Sequence, residues 1–398
     1  MPVLRNGLGA VAVLLLAFGC APNGGPGYGP AVDWKLRSQL GLRTEVDINR
    51  GPSAADDEIL LTQALDAGLV LNAETKRALF SADLGIAARY FAGEDDTQSG
   101  TGRVDPSFAL SAAYRGKNTT LSTDVSLRPT STEISQIEDT GVIDQNVTQF
   151  NADAGVSLSH RLDDRNQVSV GVNGSVVRFS EDLEDLIQTE LIGLSLGWGR
   201  SVTETSTLNV SAGLRHFVAD DEAGTRSQTL DVSAGLNHQR TPRHTLNVTL
   251  GSTAVRTIEK AEAGDPVLSI GLTGGLGFDY TLKNFRAGLS LTQGVEPSAV
   301  GALQSFTRAS GSLGYQLTEM QSLGLTLGFT RRTPLSGGDD DEETLETISL
   351  GPVYSLRLDP ETSMSLSYLF RLSRDSVDGM SSGHRVFLSV NRDFAILD

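Results

Sequence analysis

Residues Trp34 to Asn49 read WKLRSQLGLRTEVDIN. The even positions include Trp34, Leu36, Leu40, Leu42, Val46 and Ile48. The odd ones are Lys35, Arg37, Gln39, Gly41, Arg43, Glu45, Asp47 and Asn49. Strand side chains point alternately to opposite faces, so a period of two held this long predicts one strand with an apolar face and a charged face. Globular strands usually stop at about five or six residues. A strand this long and this two-sided suits a sheet set between lipid and water.

The same pattern recurs downstream. Leu61, Leu65, Leu69 and Leu71 share a phase, as do Phe80, Leu84, Ile86 and Tyr90, and the alternation continues to Val386, Leu388, Val390 and Phe394. About eighteen strands result, joined alternately by long and short connections. This arrangement predicts an all-β fold, a transmembrane antiparallel up-and-down β-barrel with short periplasmic turns and longer outer loops. Closure is what lipid demands, because hydrocarbon offers no partner for an unpaired strand edge.

Composition agrees. Hydrophobic residues are 39% and aromatics 6%, with 43 glycines in 398 residues, which is thin for a large soluble core. If the apolar face looks outward and the inside is wet, the shortage is explained. The formal charge is −17, and more than half of the acidic residues fall in the long connections, including Glu94–Asp96 and Asp339–Glu343. A chain this acidic, without a basic stripe or aromatic platform, is not expected to bind nucleic acid.

Residues 1–19 read as an export signal, with Arg5 ahead of an apolar run too short to span a bilayer as a helix. Cys20 is the one cysteine, so no intrachain disulfide is possible. The preceding Ala17-Phe18-Gly19 resembles a lipoprotein cleavage site, and ordinary signal peptidase could equally cut there. Residues 20–33 form a periplasmic linker, lipidated at Cys20 on the first of these readings. The barrel is placed at 34–394, with a tail at 395–398.

The inward face is the candidate functional surface. Its charged members are Arg37, Arg43, Asp47, Asp66, Asp83, Arg89, Asp124, Arg128 and Asp153 in the first third. Asp231, Asp279, Arg286, Arg308, Arg357, Arg371 and Arg385 follow. Between them the face turns to Ser, Thr, Asn and Gly, which suits an aqueous channel. The arginines fit structural pairing with carboxylates as well as they fit a selectivity filter. The loop Pro129–Asn146, with Glu133, Glu138, Asp139 and Asp144, either folds inward to narrow the pore or lies over the outer rim.

No catalytic constellation is present in the sequence, and the five histidines lack metal-ligand spacing. No enzyme activity, metal or cofactor is expected. Trp34, Tyr114, Trp198, Tyr280, Phe285 and Tyr315 near the short turns, and Phe108, Phe150, Phe217, Phe329 and Phe370 near the long loops, read as two interfacial girdles. Pro352, inside a strand, calls for a bulge.

The opening hairpin, LRSQLGLRTEVDINRGPSAADDEILLTQALDAGLVL (36–71), then RALFSADLGIAARYF (77–91), resembles the β-barrel porin 2 family of Gram-negative outer-membrane proteins. The resemblance implies an outer-membrane barrel associated with exopolysaccharide loci, lipid around it, and a periplasmic polysaccharide export protein as partner. It implies no catalytic residues. The last strand, HRVFLSVNRDF (384–394), resembles the signal read by the barrel assembly machinery, carried by Val386, Leu388, Val390 and Phe394. The functional expectation is a passive conduit for polysaccharide export or hydrophilic solutes. A general diffusion porin and a structural or adhesive barrel with acidic surface loops are the alternatives.

Overall fold

A computed structural model gives a closed barrel of eighteen antiparallel strands. The structure describes residues 32–50, 58–93, 102–131, 148–180, 187–220, 224–258, 267–297, 303–334, 344–375 and 379–397. The strands are β1 (Asp33–Arg50), β2 (Glu58–Glu74), β3 (Ala78–Gly93), β4 (Gly102–Arg115), β5 (Thr119–Ser131) and β6 (Thr148–Arg161). Next come β7 (Asn166–Phe179), β8 (Thr189–Thr203), β9 (Ser206–Ala219), β10 (Arg226–Thr241), β11 (His244–Ile258) and β12 (Val267–Thr281). The last six are β13 (Phe285–Pro297), β14 (Leu303–Gln316), β15 (Gln321–Pro334), β16 (Leu345–Arg357), β17 (Thr362–Asp375) and β18 (Gly379–Leu397). Each strand pairs with its neighbours in sequence, and β18 returns to β1. The sheet therefore has no free edge strand, the condition for crossing lipid as β structure.

The register fixes which residues face out. Leu42 stands opposite Leu65 on β2 and Val390 on β18, and the row continues through Ala88 and Val104. Leu42, Leu65 and Val104 are exposed, which for a large apolar side chain in a closed wall means contact with lipid. This outward belt, with Trp34, Tyr114 and Tyr315 exposed near the short-turn ends, gives the closed wall the surface of a membrane-spanning β-barrel. His244 stacks on Tyr280 at 4.7 Å, and Tyr280 meets Phe285 edge-on at 6.2 Å within the same lower girdle.

Three local expectations are corrected. Phe217 does not belong to the upper girdle. It is out of phase with the outward Val210 and Leu214, and it points inward, 3% exposed. Pro352 causes no bulge: the β16–β17 ladder runs to Leu350–Phe370, skips Gly351 and Pro352, and resumes at Val353–Ser367 in the same register. The missing N–H is met by two unpaired positions, with no inserted residue. Finally, β18 runs to Leu397, where a register shift beside Arg37 lets Leu397 pair with Leu36. The segment 395–397 thus continues the wall beyond residue 394.

Prolines also shape the β4–β5 seam. Its ladder ends at Phe108–Leu127, and the next pair in that phase would set Pro106 against Pro129. Neither carries an N–H, so hydrogen bonding between these edges stops there.

At the other end the short turns are built by side-chain acceptors. Asp163 Oδ1 accepts from the backbone N–H groups of Arg165 and Asn166 at 2.7 and 2.8 Å. Asp359 Oδ1 accepts from Glu361 and Thr362 at 2.8 and 2.7 Å. These are Asx turns, for which Asp is chemically suited.

Candidate functional site

The candidate site is the inner face, and it changes character along the barrel axis. In the half nearer the short turns it carries many small polar residues that remain solvent-exposed inside the wall, such as Ser169, Asn209, Ser211, Asn237 and Asn391. Many pair across strands: Ser122 with Ser157 at 2.6 Å, Ser211 with Ser233 at 2.7 Å, and Asn237 with Asn247 at 2.6 Å. Such pairs satisfy the hydroxyls and amides without extending them into the lumen.

Glycines assist by letting neighbouring side chains lie flat. A Cβ on Gly155 would come within 2.8 Å of Asp124 Oδ1, one on Gly193 within 2.6 Å of Asn173 Oδ1, and one on Gly41 within 2.6 Å of Asn391 Oδ1. Each of these polar side chains therefore occupies the space that its cross-strand glycine leaves empty. The consequence is a wide, wet lower lumen.

Nearer the long loops the inner face closes in. Ala64, Phe91, Asp105, Phe217, Thr229, Thr253, Gln304, Arg332 and Ser373 are all buried there, so this level is the narrow part of the described lumen. Charged side chains at this level are organised into clusters. Arg385 Nε donates to Asp47 Oδ2 at 2.7 Å and lies 3.1 Å from Glu45 Oε1, while Arg43 Nη2 donates to Glu45 Oε2 at 2.8 Å. The Arg43 and Arg385 guanidiniums lie 4.5 and 5.8 Å from the Phe387 ring centroid. A second cluster holds Asp105, 4% exposed, between Arg103 at 2.6 Å and Arg89 at 3.0 Å. In a third, Arg215 donates through Nε and Nη2 to Asp231 Oδ2 at 3.1 and 2.9 Å, and Thr253 donates to Asp231 Oδ1.

Of the residues expected on this face, Arg43, Asp47, Arg89, Asp231 and Arg385 thus lie in ion-pair clusters. Asp153 accepts from Ser126 at 3.3 Å, and Arg308 lies 5.3 Å from the Phe306 centroid. Asp66 lies beside Gly41, and Asp279 Oδ1 stands 3.4 Å from the Cβ position of Gly288. The others are spread around the wall by register. Arg37 and Asp83 flank Val70, Arg128 faces Asn151, Arg286 faces Gly314, Arg357 faces Ser363, and Arg371 faces Ser349. Glu45, Arg103, Asp105, Arg215 and Thr253 complete the clusters and were not singled out from sequence. Each sits in the inward phase of its strand, which was the available signal. Cys20, Glu133, Glu138, Asp139 and Asp144 lie outside the described residues. Among the described residues, no group of three or more His, Cys, Asp or Glu could hold a metal ion.

No family model matches the sequence, and no curated protein matches it. Solved structures do. OccAB4 of Acinetobacter baumannii is similar at a TM-score of 0.50 and 13% identity, over 90% of this chain and 98% of that one. Pseudomonas aeruginosa OpdK, solved with vanillate, gives 0.49 and 14%, over 90% and 99%. Pseudomonas aeruginosa OccK2 (OpdF), solved in complex with glucuronate, gives 0.48 and 14%, over 91% and 98%. At these identities the likeness concerns the fold, which is that of an outer-membrane barrel.

Proposed function

We propose that the protein is a passive channel for small hydrophilic solutes across the outer membrane. The observation that carries this reading is the solvent-exposed, small and polar inner face inside a closed eighteen-stranded wall. A barrel of this circumference leaves an aqueous lumen when its inward side chains are short. A filled, structural barrel would need bulky apolar residues facing inward at every level, and here the buried ones, such as Phe91 and Phe217, lie near the long loops.

The narrow level sets the preference. Among the described residues of this level, the five arginines Arg43, Arg89, Arg103, Arg215 and Arg385 pair with the four carboxylates Glu45, Asp47, Asp105 and Asp231. This balance favours small anions over cations, because fixed charge in a confined, partly desolvated passage acts strongly on permeant ions. Polysaccharide export, implied by the resemblance to the porin 2 family, draws no support from the lumen or from the comparisons. Val386, Leu388, Val390 and Phe394 share the outward phase of β18, which is compatible with a role as the assembly signal.

Liposome swelling tests the channel. Vesicles containing the refolded barrel should swell in glucose, faster in gluconate, and progressively more slowly as neutral oligosaccharides lengthen. Swelling no faster than in protein-free vesicles would end this reading.

A further inference from the structure

The ladder between β12 and β13 stops early. It runs from Thr281–Arg286 up to Gly274–Gln293, whereas β12 extends back to Val267 and β13 on to Pro297. On their other sides both strands stay paired: β11–β12 as far as Thr257–Val267, and β13–β14 as far as Pro297–Leu303. The wall therefore has two unpaired edges facing each other. At roughly 2.5 Å of height per tilted residue, the last pair sits ~18 Å above Thr281 in a belt about 25 Å tall. The gap opens in the outer third of the membrane.

Val295 shows where β13 goes. It is in phase with the outward Leu289 and Leu291, yet it clusters with Val255 of the inner face, and its Cγ2 lies 4.0 Å from the Cβ position of inward Gly271. Past Gln293, then, β13 turns into the barrel. The outward side chains left behind on β12 lose their neighbour: Leu268, Ile270 and Leu272 are 66%, 73% and 78% exposed, against 41% for Leu276 inside the ladder.

The inner mouth of the gap is apolar, unlike the lower lumen. Val255 and Val295 are buried there, and Phe306 packs over Gly294, whose Cβ position lies 2.9 Å from the ring. Arg308, one inward position away, lies over Phe306. Unpaired strand edges are costly in hydrocarbon unless they border water, and a gap joined to the lumen supplies that water.

We propose that this gap is a lateral portal between the lumen and the outer leaflet, and that its cargo is a single-chain amphiphile with an acidic head. The chain passes along Leu268, Ile270, Leu272 and Val295 while the head stays in lumen water beside Arg308. This path is additional to the axial route for hydrophilic solutes.

The test uses the refolded chain carrying Cys20→Ser in phosphatidylcholine vesicles, with single cysteines introduced by Leu272→Cys, Val295→Cys, Thr273→Cys in the lumen, and Leu276→Cys within the ladder. A charged, water-soluble maleimide should label Leu272→Cys at least about tenfold faster than Leu276→Cys and at a rate comparable to Thr273→Cys. Decanoate at ten times its dissociation constant should slow labelling of Val295→Cys about tenfold, and decanol should protect less. Leu272→Cys as unreactive as Leu276→Cys would overturn the portal, and labelling of Val295→Cys unaffected by decanoate would overturn the cargo. Ion conductance of the same variants reports folding and the axial channel separately, so failure of the portal is distinguishable from failure of the channel.

Discussion

Arg385 and Asp47 are separated by 338 residues in sequence and face each other across the closure of the barrel, with Nε donating to Oδ2 at 2.7 Å. Both side chains are largely buried on the inner face, and Glu45, Arg43 and Phe387 surround them. The last strand must find the first to complete the barrel, and this cluster marks the register in which it does so. Removing one partner of a buried ion pair is costly, and here Glu45 would remain beside Arg385 as its second carboxylate. Asp47→Ala is expected to destabilise the folded barrel by about 3 kcal/mol, and Arg385→Ala by a similar amount. The double variant should cost less than the sum, as a double-mutant cycle in urea with lipid vesicles would measure.

The inside-outside assignment predicts a sharp contrast between adjacent residues. Leu194 faces lipid and Ser195 the lumen, each by register with its neighbours on β7 and β9. Leu194→Arg, near mid-belt, should cost about 2–4 kcal/mol, whereas Ser195→Arg should leave stability nearly unchanged and reduce conductance. Equal destabilisation by the two would show the alternation to be misassigned.

Gly155 gives Asp124 its resting place against the wall. Gly155→Val would push that carboxylate into the lumen, and the expected result is a folded barrel with smaller conductance and weaker preference for anions. A reversal potential measured across a salt gradient reads the second effect directly.

The turn carboxylates predict a local pH response. Asp163 is held below the ordinary carboxylate range by the Asn166 side-chain amide and then by the backbone N–H groups of Arg165 and Asn166. Asp359 is lowered by the Glu361 N–H first and then by Thr362. A depressed folded pKa means that the stabilisation is present above the unfolded value and is lost as pH falls through the folded one. Amide exchange at Arg165, Asn166, Glu361 and Thr362, corrected for intrinsic rates, should therefore lose protection only on acidification below the normal aspartate range. Asp359→Asn should weaken that dependence at its own turn and leave the one at Asp163 intact.

Much of this architecture is legible in the sequence because one physical signal, a period of two between lipid and water, acts on every strand. Trp34 to Asn49 carries it most clearly, and the alternation of long and short connections orients the rest. Register across strands is not encoded locally, so the partners of Asp47 and Asp231 could not be assigned, although Arg385 and Arg215 both lie in the inward phase. Phe217 shows the opposite error: residue type suggested a girdle, and phase places it inside. The Pro106–Pro129 break was readable in principle, since it needs only the hairpin register. The inward turn of β13 was not, because Val295 keeps the outward phase of its strand and leaves it only through packing against Val255 and Gly271.

The most direct test of the central claim is single-channel conductance of the refolded protein in a planar bilayer. A water-filled lumen with an arginine-rich narrow level predicts discrete, steady, ohmic steps and a reversal potential of the sign for anion preference. A correctly folded barrel that passes no current would contradict it.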